Sequence, residues 1–492
     1  MTDIRKNQYE EIIDAMMIDE VSGLDMDIKS TLESLPTDKK RLAILSILDK
    51  DRNMFVKIKN IISNTDVTKV EYIKGVVEML REYVSVGEVE VKRFGEIMSP
   101  IFLIEEMMDT LPSDVWGNPE LKWLDNCSGV GTFSAVIVNR LMDGLSIVFP
   151  NENDRYKHIM ENMIYVAELQ PKNMFLFLVA FDPKDEYELN VYTGSYLDEG
   201  FNEHKKEVWG VDKFDISVMN PPYQMRKEGN KKTQPLWHLF VEKTIESDLV
   251  DDGYLCAVHP SGWRSIKGRF KKTQIKMLSN QINYLEIHDA DDGKKTFGAT
   301  TRYDFYCLKK TTPKHKTKIV GQDGKIERVD ISKMEFIPNG MFKEVISLIA
   351  KGGEESVQII NNSMYHHTRP HMSKIQDNQF RYPCVANINT KGEIGNVYYS
   401  MRNDRGHFGI SKIIVGRFGI NVFIDELGEF GLTEDGTGIV DTVENLKRIK
   451  IVLKNKRFLE LNRMTDVAGL RDVPLNHKII ATFRKDFWGK FI

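Results

Sequence analysis

Apolar and polar positions along this chain change texture twice. Up to about residue 90 the apolar residues recur at helical spacing: Leu42, Leu45 and Ile47 stand among charges in Lys40–Leu48, and Val76, Val77 and Leu80 repeat within Tyr72–Tyr83. That spacing predicts a small N-terminal helical region over 1–90. From 91 to 312, short continuous apolar runs such as Met163–Ala167 and Phe214–Met219 alternate with helix-compatible stretches such as Ile101–Leu111 and Ser134–Leu141. Runs of that length read as buried strands, and their alternation with helices predicts a doubly wound α/β domain. After a linker at Pro313–Lys318 the runs shorten, and between Gly406 and Gly438 glycines recur between Val, Ile and Phe segments. Short strands and loops of a mixed α+β domain over 313–492 follow from that pattern.

Composition narrows the class without naming a reaction. At 492 residues, with 41% hydrophobic and 28% charged positions, the chain has the length of two or three ordinary globular domains. Its four cysteines, Cys127, Cys256, Cys307 and Cys384, are far apart and lack metal-ligand spacing, so they are expected to be reduced thiols. The N-terminus has no apolar signal core, and the longest apolar run, Met174–Phe181, is too short to span a bilayer. No membrane partner is expected, and the expected location is the cytoplasm. The formal net charge is -4, but it is unevenly spread: residues 331–492 carry an excess of Lys and Arg, and residues 1–330 an excess of Asp and Glu. The runs Lys267–Lys272 and Lys309–Lys316 add local positive charge suited to phosphates, or simply to solvent.

Three short motifs carry chemistry. Asn220-Pro221-Pro222-Tyr223 closes the apolar run Phe214–Met219. The Asn220 amide oxygen and the Pro221 carbonyl can each accept a hydrogen bond from a planar exocyclic amino group, drawing it toward the tetrahedral geometry it needs to attack. The prolines stiffen the turn, and Tyr223 offers a face on which a base taken out of a duplex could stack. Upstream, Asp125-Asn126-Cys127-Ser128-Gly129-Val130-Gly131-Thr132-Phe133 reads as strand, glycine turn and helix start. Glycines at 129 and 131 would let the backbone approach a bound cofactor closely. Between these two motifs, Glu168 ends the run Met163–Ala167, where a carboxylate could accept both hydroxyls of a ribose.

Taken in this order, the motifs resemble those of the gamma class of adenine-N6 DNA methyltransferases, in particular the Asn-Pro-Pro-Tyr group found with type II restriction-modification systems. Ser99-Pro100 stands where that family has its Thr/Ser-Pro element, and Gly253–Ser261 looks like its later strand ending in a Pro-Ser turn. The resemblance covers roughly residues 90 to 310. It implies a Rossmann-like methyltransferase domain and S-adenosyl-L-methionine as methyl donor. Ser99, Pro100, Asp125, Asn126, Cys127, Gly129, Gly131, Phe133, Glu168, Ser195 and Tyr196 would lie around that donor. Asn220, Pro221, Pro222 and Tyr223 would act on the N6 amino group of a flipped adenine, with no metal. One position departs from the pattern: Ser195 stands where the family carries an Asp or Asn against the cofactor adenine, and Asp198, three residues on, could substitute.

The C-terminal region resembles, more loosely, the target-recognition domains of such enzymes. Arg369, Arg402, Arg405 and Arg417 are its candidate DNA contacts, since arginine pairs with guanine edges and with phosphate alike. The implied partners are double-stranded DNA and, in a restriction system, a separate cognate endonuclease; the chain is expected to be a monomer. Glu88-Val89-Glu90-Val91-Lys92 has the look of a nuclease fragment but lacks a companion carboxylate to hold a cation. His366, His367 and His371 read as a loop near DNA rather than a metal site. Two alternatives stay open from the sequence: methylation of a protein glutamine or of RNA, and a DNA-binding specificity subunit without catalysis.

Overall fold

The computed structural model describes residues 98–226, 233–416, 420–467 and 474–492, with Ile12, 66–68 and 72–77 before them. Residues 72–77 are helical; the rest of the expected N-terminal helical region, including Lys40–Leu48 and Glu88–Lys92, lies outside the described residues.

The apolar runs form the strands of one nine-stranded sheet. In chain order these are β1 (Trp123–Asp125), β2 (Ile164–Glu168), β3 (Asn190–Thr193) and β4 (Phe214–Met219). A short hairpin, β5 (Gln224–Arg226) and β6 (Thr233–Pro235), stands apart from this sheet. The sheet continues with β7 (Leu249–Pro260), β8 (Gln281–His288), β9 (Tyr303–Lys309), β10 (Thr317–Val320) and β11 (Ile326–Val329). Its spatial order is β11-β10-β8-β9-β7-β4-β1-β2-β3. From β7 to β3 every neighbouring pair is parallel, whereas β9 runs antiparallel to both β7 and β8. β10 and β11 join the sheet beyond Pro313, so the stretch expected as a linker contains the start of the strand next to the edge.

Alternate side chains of these strands enter two different cores. Trp123, Ile164, Val166, Ile216, Val218, Cys256 and Val258 face one side, which is covered by α1 (Ile101–Met108), α2 (Thr132–Gly144) and α3 (Pro171–Phe181). Leu124, Tyr165, Ala167, Leu255 and Ala257 face the other, against residues of α4 (Glu199–Glu207) and α5 (Trp237–Lys243). A parallel sheet buried on both faces explains why β1 and β2 are apolar almost without interruption. The chain leaves β1 toward β2 and β3 on one side and continues through β4 and β7 on the other. The strand order therefore reverses between β1 and β4, the place where an open α/β sheet forms its crevice.

Two smaller four-stranded sheets follow. One has the order β12 (Gln358–Ile360), β19 (Thr437–Val440), β16 (Lys412–Val415) and β17 (Val422–Asp425). The other has β13 (Met372–Ser373), β15 (Val397–Ser400), β14 (Tyr382–Val385) and β18 (Gly431–Leu432). A buried polar junction ties this half to the large sheet. The fully buried Arg264 donates from Nε to Asp304 Oδ2 at 2.8 Å and from Nη1 to the Ile337 carbonyl and to Asn339 Oδ1. Asn339 in turn donates its backbone N–H to the Met464 carbonyl and its side-chain NH2 to the Asp466 carbonyl.

Candidate active site

At the carboxyl ends of β1, β2 and β4, and beside the loop after β3, lies a cavity of about 250 Å3. Most of its wall comes from Met98 and Ser99, the loop from Asn126 to Phe133, Glu168 to Gln170, Gly194 to Asp198, and Asn220 with Pro222.

The glycine loop is held by backbone bonds before any ligand is considered. Ser128 N–H donates to the Ala167 carbonyl at 3.1 Å, and Gly131 N–H to the Ser128 carbonyl at 2.9 Å. Glu168 clamps the loop from β2: its Oε2 accepts from Gly129 N–H at 2.9 Å and its Oε1 from Gln170 N–H at 2.8 Å. Asn173 Nδ2 donates to the same Oε1 at 3.4 Å, and Glu168 forms part of the cavity wall. The two glycines differ. Gly129 has φ +55 in open space on the cavity wall. Gly131 has φ +94, and a Cβ there would sit 2.6 Å from ring atoms of both Phe177 and Phe181. Close helix packing, not close approach to a ligand, is what demands glycine at 131. Phe133 lines the cavity.

Asp125 sits behind this wall, buried, with Oδ2 accepting from Ser134 Oγ at 3.0 Å. Burial pushes its carboxyl up to about 7, against the bonds from Ser134 and the Cys127 backbone that favour the ionised form. Burial, with Asp125 and Glu168 nearby, also raises the Cys127 thiol, which accepts from the Asn220 backbone N–H. The thiol thus stays protonated and joins the glycine loop to the tetrapeptide.

Asn220 Nδ2 donates to Ser99 Oγ at 3.0 Å, which ties the tetrapeptide to the Ser-Pro element 121 residues earlier. Engaging the NH2 in this way leaves the amide oxygen as the group aimed elsewhere. Pro222 is on the cavity wall and Pro221 is buried beside it. Tyr223 is only 9% exposed and packs edge-on against Phe297, with centroids 6.3 Å apart. Its buried hydroxyl has no partner among the described residues, and burial raises its pKa. The open stacking face expected of Tyr223 is therefore covered in this conformation.

Tyr196 is on the cavity wall, but not with its hydroxyl. Its hydroxyl turns into the core, 2.8 Å from Thr244 Oγ1 and 2.6 Å from Asp248 Oδ2, and Asp248 forms a buried ion pair with Lys205. Asn126 Nδ2 donates to the same Thr244 hydroxyl at 3.1 Å. Asn126 Oδ1 is left buried with no partner among the described residues, an acceptor belonging to a residue of the cavity wall. Ser195 and Asp198 both line the cavity; Asp198 precedes α4 without capping it through its side chain. Met225, Leu236 and Phe240 complete the wall from the hairpin and α5. Nothing in their local sequence marks them, because their place depends on how the segment after Tyr223 folds back.

Arg369, Arg402 and Arg405 are exposed on two adjoining loops of the C-terminal half, linked by Arg405 N–H to Tyr365 OH at 3.0 Å and Met401 N–H to the His371 carbonyl. Arg402 is already engaged by Asp404 through two bonds of 2.8 and 2.9 Å. Arg417 lies outside the described residues. In the second basic run, Lys309 and Lys310 pair with Asp252 and Asp251 at the sheet edge. No helix of the described residues is long and apolar enough to cross a membrane.

Residues 153–297 match the model of the Eco57I restriction-modification methylase family. An uncharacterised adenine-specific methylase of Mycoplasma pneumoniae is 24% identical over 268 residues, which make up 41% of this chain and 63% of that protein. Among solved structures, a DrdV–DNA complex superposes with a TM-score of 0.48 at 9% identity, covering 99% of this chain and 72% of that one. The type IIL restriction-modification enzyme MmeI in complex with DNA superposes with 0.46 at 9% identity, covering 82% and 70%. Between residues 153 and 297, the stretch that holds Glu168, the 194–198 loop and Asn220–Tyr223, this chain carries the sequence pattern of the Eco57I restriction-modification methylases.

Proposed function

We propose that this chain transfers a methyl group from S-adenosyl-L-methionine to the N6 amino group of adenine in double-stranded DNA. The observation that carries the reading is the Asn220 amide, held by Ser99 beside a cavity whose other walls present Glu168 and Asn126. Those residues suit the donor. Glu168 is a fixed carboxylate on the cavity wall, of the type that binds ribose hydroxyls, and Asn126 Oδ1 is a buried acceptor in need of a donor. Asp198, on the same wall, offers the acidic group that Ser195 lacks for the adenine. When bound, the cofactor supplies an electrophilic methyl on a sulfonium, already a good leaving group.

The protein then has mainly to position and orient. Asn220 Oδ1 and the Pro221 carbonyl accept from the amino group and localise its lone pair. Stacking of a flipped adenine on Tyr223 requires the contact with Phe297 to open. The region from residue 313 onward serves DNA recognition in this reading, with Arg369 and Arg405 as contacts and Arg402 released from Asp404 on binding. The strands 317–329 belong with the methyltransferase sheet.

Transfer of labelled methyl to unmethylated duplex DNA, followed by nucleoside analysis, tests the proposal. N6-methyladenine should form with the wild type and fall by at least about a hundredfold in Asn220→Ala, the scale of loss when one preorganised polar group is removed from a reacting centre. Label in protein or RNA would overturn the substrate. DNA binding without transfer would favour a specificity subunit.

A further inference from the structure

In the C-terminal half, away from the cavity, two imidazoles and a carboxylate converge. His366 and His367 lie in the loop between β12 and β13, and Glu434 lies in the turn between β18 and β19. His366 Nε2 is 3.7 Å from Glu434 Oε1, and His367 Nδ1 hydrogen-bonds the same oxygen. The three ligand atoms all lie within 4.8 Å of one another. The imidazoles stack with centroids 4.8 Å apart and planes inclined by 21°.

Their surroundings fix which atoms are presented. His366 Nδ1 accepts from the Thr368 backbone N–H at 3.3 Å and lies 2.9 Å from Thr368 Oγ1, so Thr368 holds that side of the ring and Nε2 is turned toward Glu434. The His367 backbone N–H donates to Glu434 Oε2 at 3.1 Å, which leaves Oε1 facing both rings. An ordinary histidine–carboxylate pair uses one imidazole. Here a second imidazole is directed at the same oxygen, its outer nitrogen fixed by Thr368, and outer-nitrogen contacts of this kind are what orient metal-ligating histidines.

We infer that His366 Nε2, His367 Nδ1 and Glu434 form a binding site for a divalent transition-metal ion of the zinc type. Two imidazoles and one carboxylate suit such an ion better than a hard cation, which favours oxygen ligands throughout. With metal–ligand bonds of about 2.0–2.1 Å, the corners of a tetrahedral site stand roughly 3.3–3.5 Å apart, close to the 3.7 Å found between His366 and Glu434. Three protein ligands leave a fourth position for water. The ion would pin the loop that bears Arg369 to the turn 433–436, and so order one of the two loops that carry exposed arginines.

The test is titration of the metal-stripped full-length protein with zinc chloride, read by calorimetry and by competition with a chromophoric chelator. One zinc per chain is expected, lost in His367→Ala and in the isosteric Glu434→Gln, and unchanged in His315→Ala, a surface histidine remote from the cluster in sequence. Thr368→Val should weaken binding about tenfold, as removal of an orienting hydrogen bond does. Hydrogen exchange of residues 362–371 should slow on adding zinc. The inference is overturned if the wild type takes up no stoichiometric zinc, or if His367→Ala and Glu434→Gln bind it as the wild type does. Neither readout uses methyl transfer, so the result stands apart from the proposed activity.

Discussion

Gly131→Ala should damage the fold rather than the ligand contact. Gly131 has φ +94, a conformation that costs a residue bearing a Cβ about 1–3 kcal/mol. The new methyl would also lie 2.6 Å from Phe177 Cδ2 and from Phe181 Cε2. Those rings are stacked on each other with centroids 4.3 Å apart and are fully buried, so neither can swing aside without disturbing α3. Overpacking of this kind costs a further ~1–3 kcal/mol. The sum is roughly 2–6 kcal/mol. Gly129→Ala is the matched control: φ is +55, nothing lies within 4 Å of the added Cβ, and the expected cost is about 1 kcal/mol. Hydrogen exchange of the α2 amides, measured without cofactor, separates the two. Gly131→Ala should speed exchange by at least about 30-fold, the equivalent of 2 kcal/mol, and Gly129→Ala by only about fivefold. If Gly131 were instead required by a bound cofactor, Gly131→Ala would leave ligand-free exchange unchanged and weaken only cofactor binding. That result would refute the packing argument.

Ser99→Ala removes the acceptor of the Asn220 amide and should slow single-turnover methyl transfer about five- to tenfold, the worth of one hydrogen bond of ~1 kcal/mol, with cofactor affinity little changed; equal rates would show that Asn220 is aimed without it. Asp125 is raised to about 7 by burial, so between about pH 4 and 7 the folded chain holds a proton that the unfolded chain has released, and ionising it as pH rises through that window lowers stability by on the order of 4 kcal/mol. Asp125→Asn should therefore gain stability over the wild type progressively from pH 4 to 7 in urea unfolding, and parallel pH profiles would contradict this. Lys412 and Asp425 form a buried pair at 2.6 Å in which Lys412 Nζ also donates to the His407 and Ile410 carbonyls. Lys412→Ala should cost about 3–5 kcal/mol, whereas replacing both partners by Met and Leu should recover most of it; a double variant as unstable as the single one would show that those carbonyls, not the ion pair, set the loss.

Which of these features could be read along the chain depends on how far away their physical cause lies. The ends of β2 and β4 were legible because a strand buried on both faces must be apolar throughout. A polar residue that closes such a run, Glu168 or Asn220, therefore stands at a carboxyl edge. The 317–320 strand resembles a linker in sequence because it buries only alternate residues. Thr317 and Ile319 point inward while Lys318 sits over the Tyr284 ring, and this gives too little apolar run to notice. Arg402 looked free because its partner, Asp404, acts two residues on, in a turn whose geometry the composition does not reveal. Gly131 was assigned the right residue type for the wrong reason, since the rings that require it belong to α3, a different element. Tyr196 and Tyr223 depend on remote partners in the same way: an aromatic next to a strand end can face cavity or core, and Asp248, which binds the hydroxyl of Tyr196 on the cavity wall, and Phe297, which packs on Tyr223, are each distant in sequence. The Ser99–Asn220 bond joins both classes. Each partner was identifiable by its own motif, but the hydrogen bond that makes them one device spans 121 residues and exists only because β4 and the start of α1 meet at the same edge of the sheet.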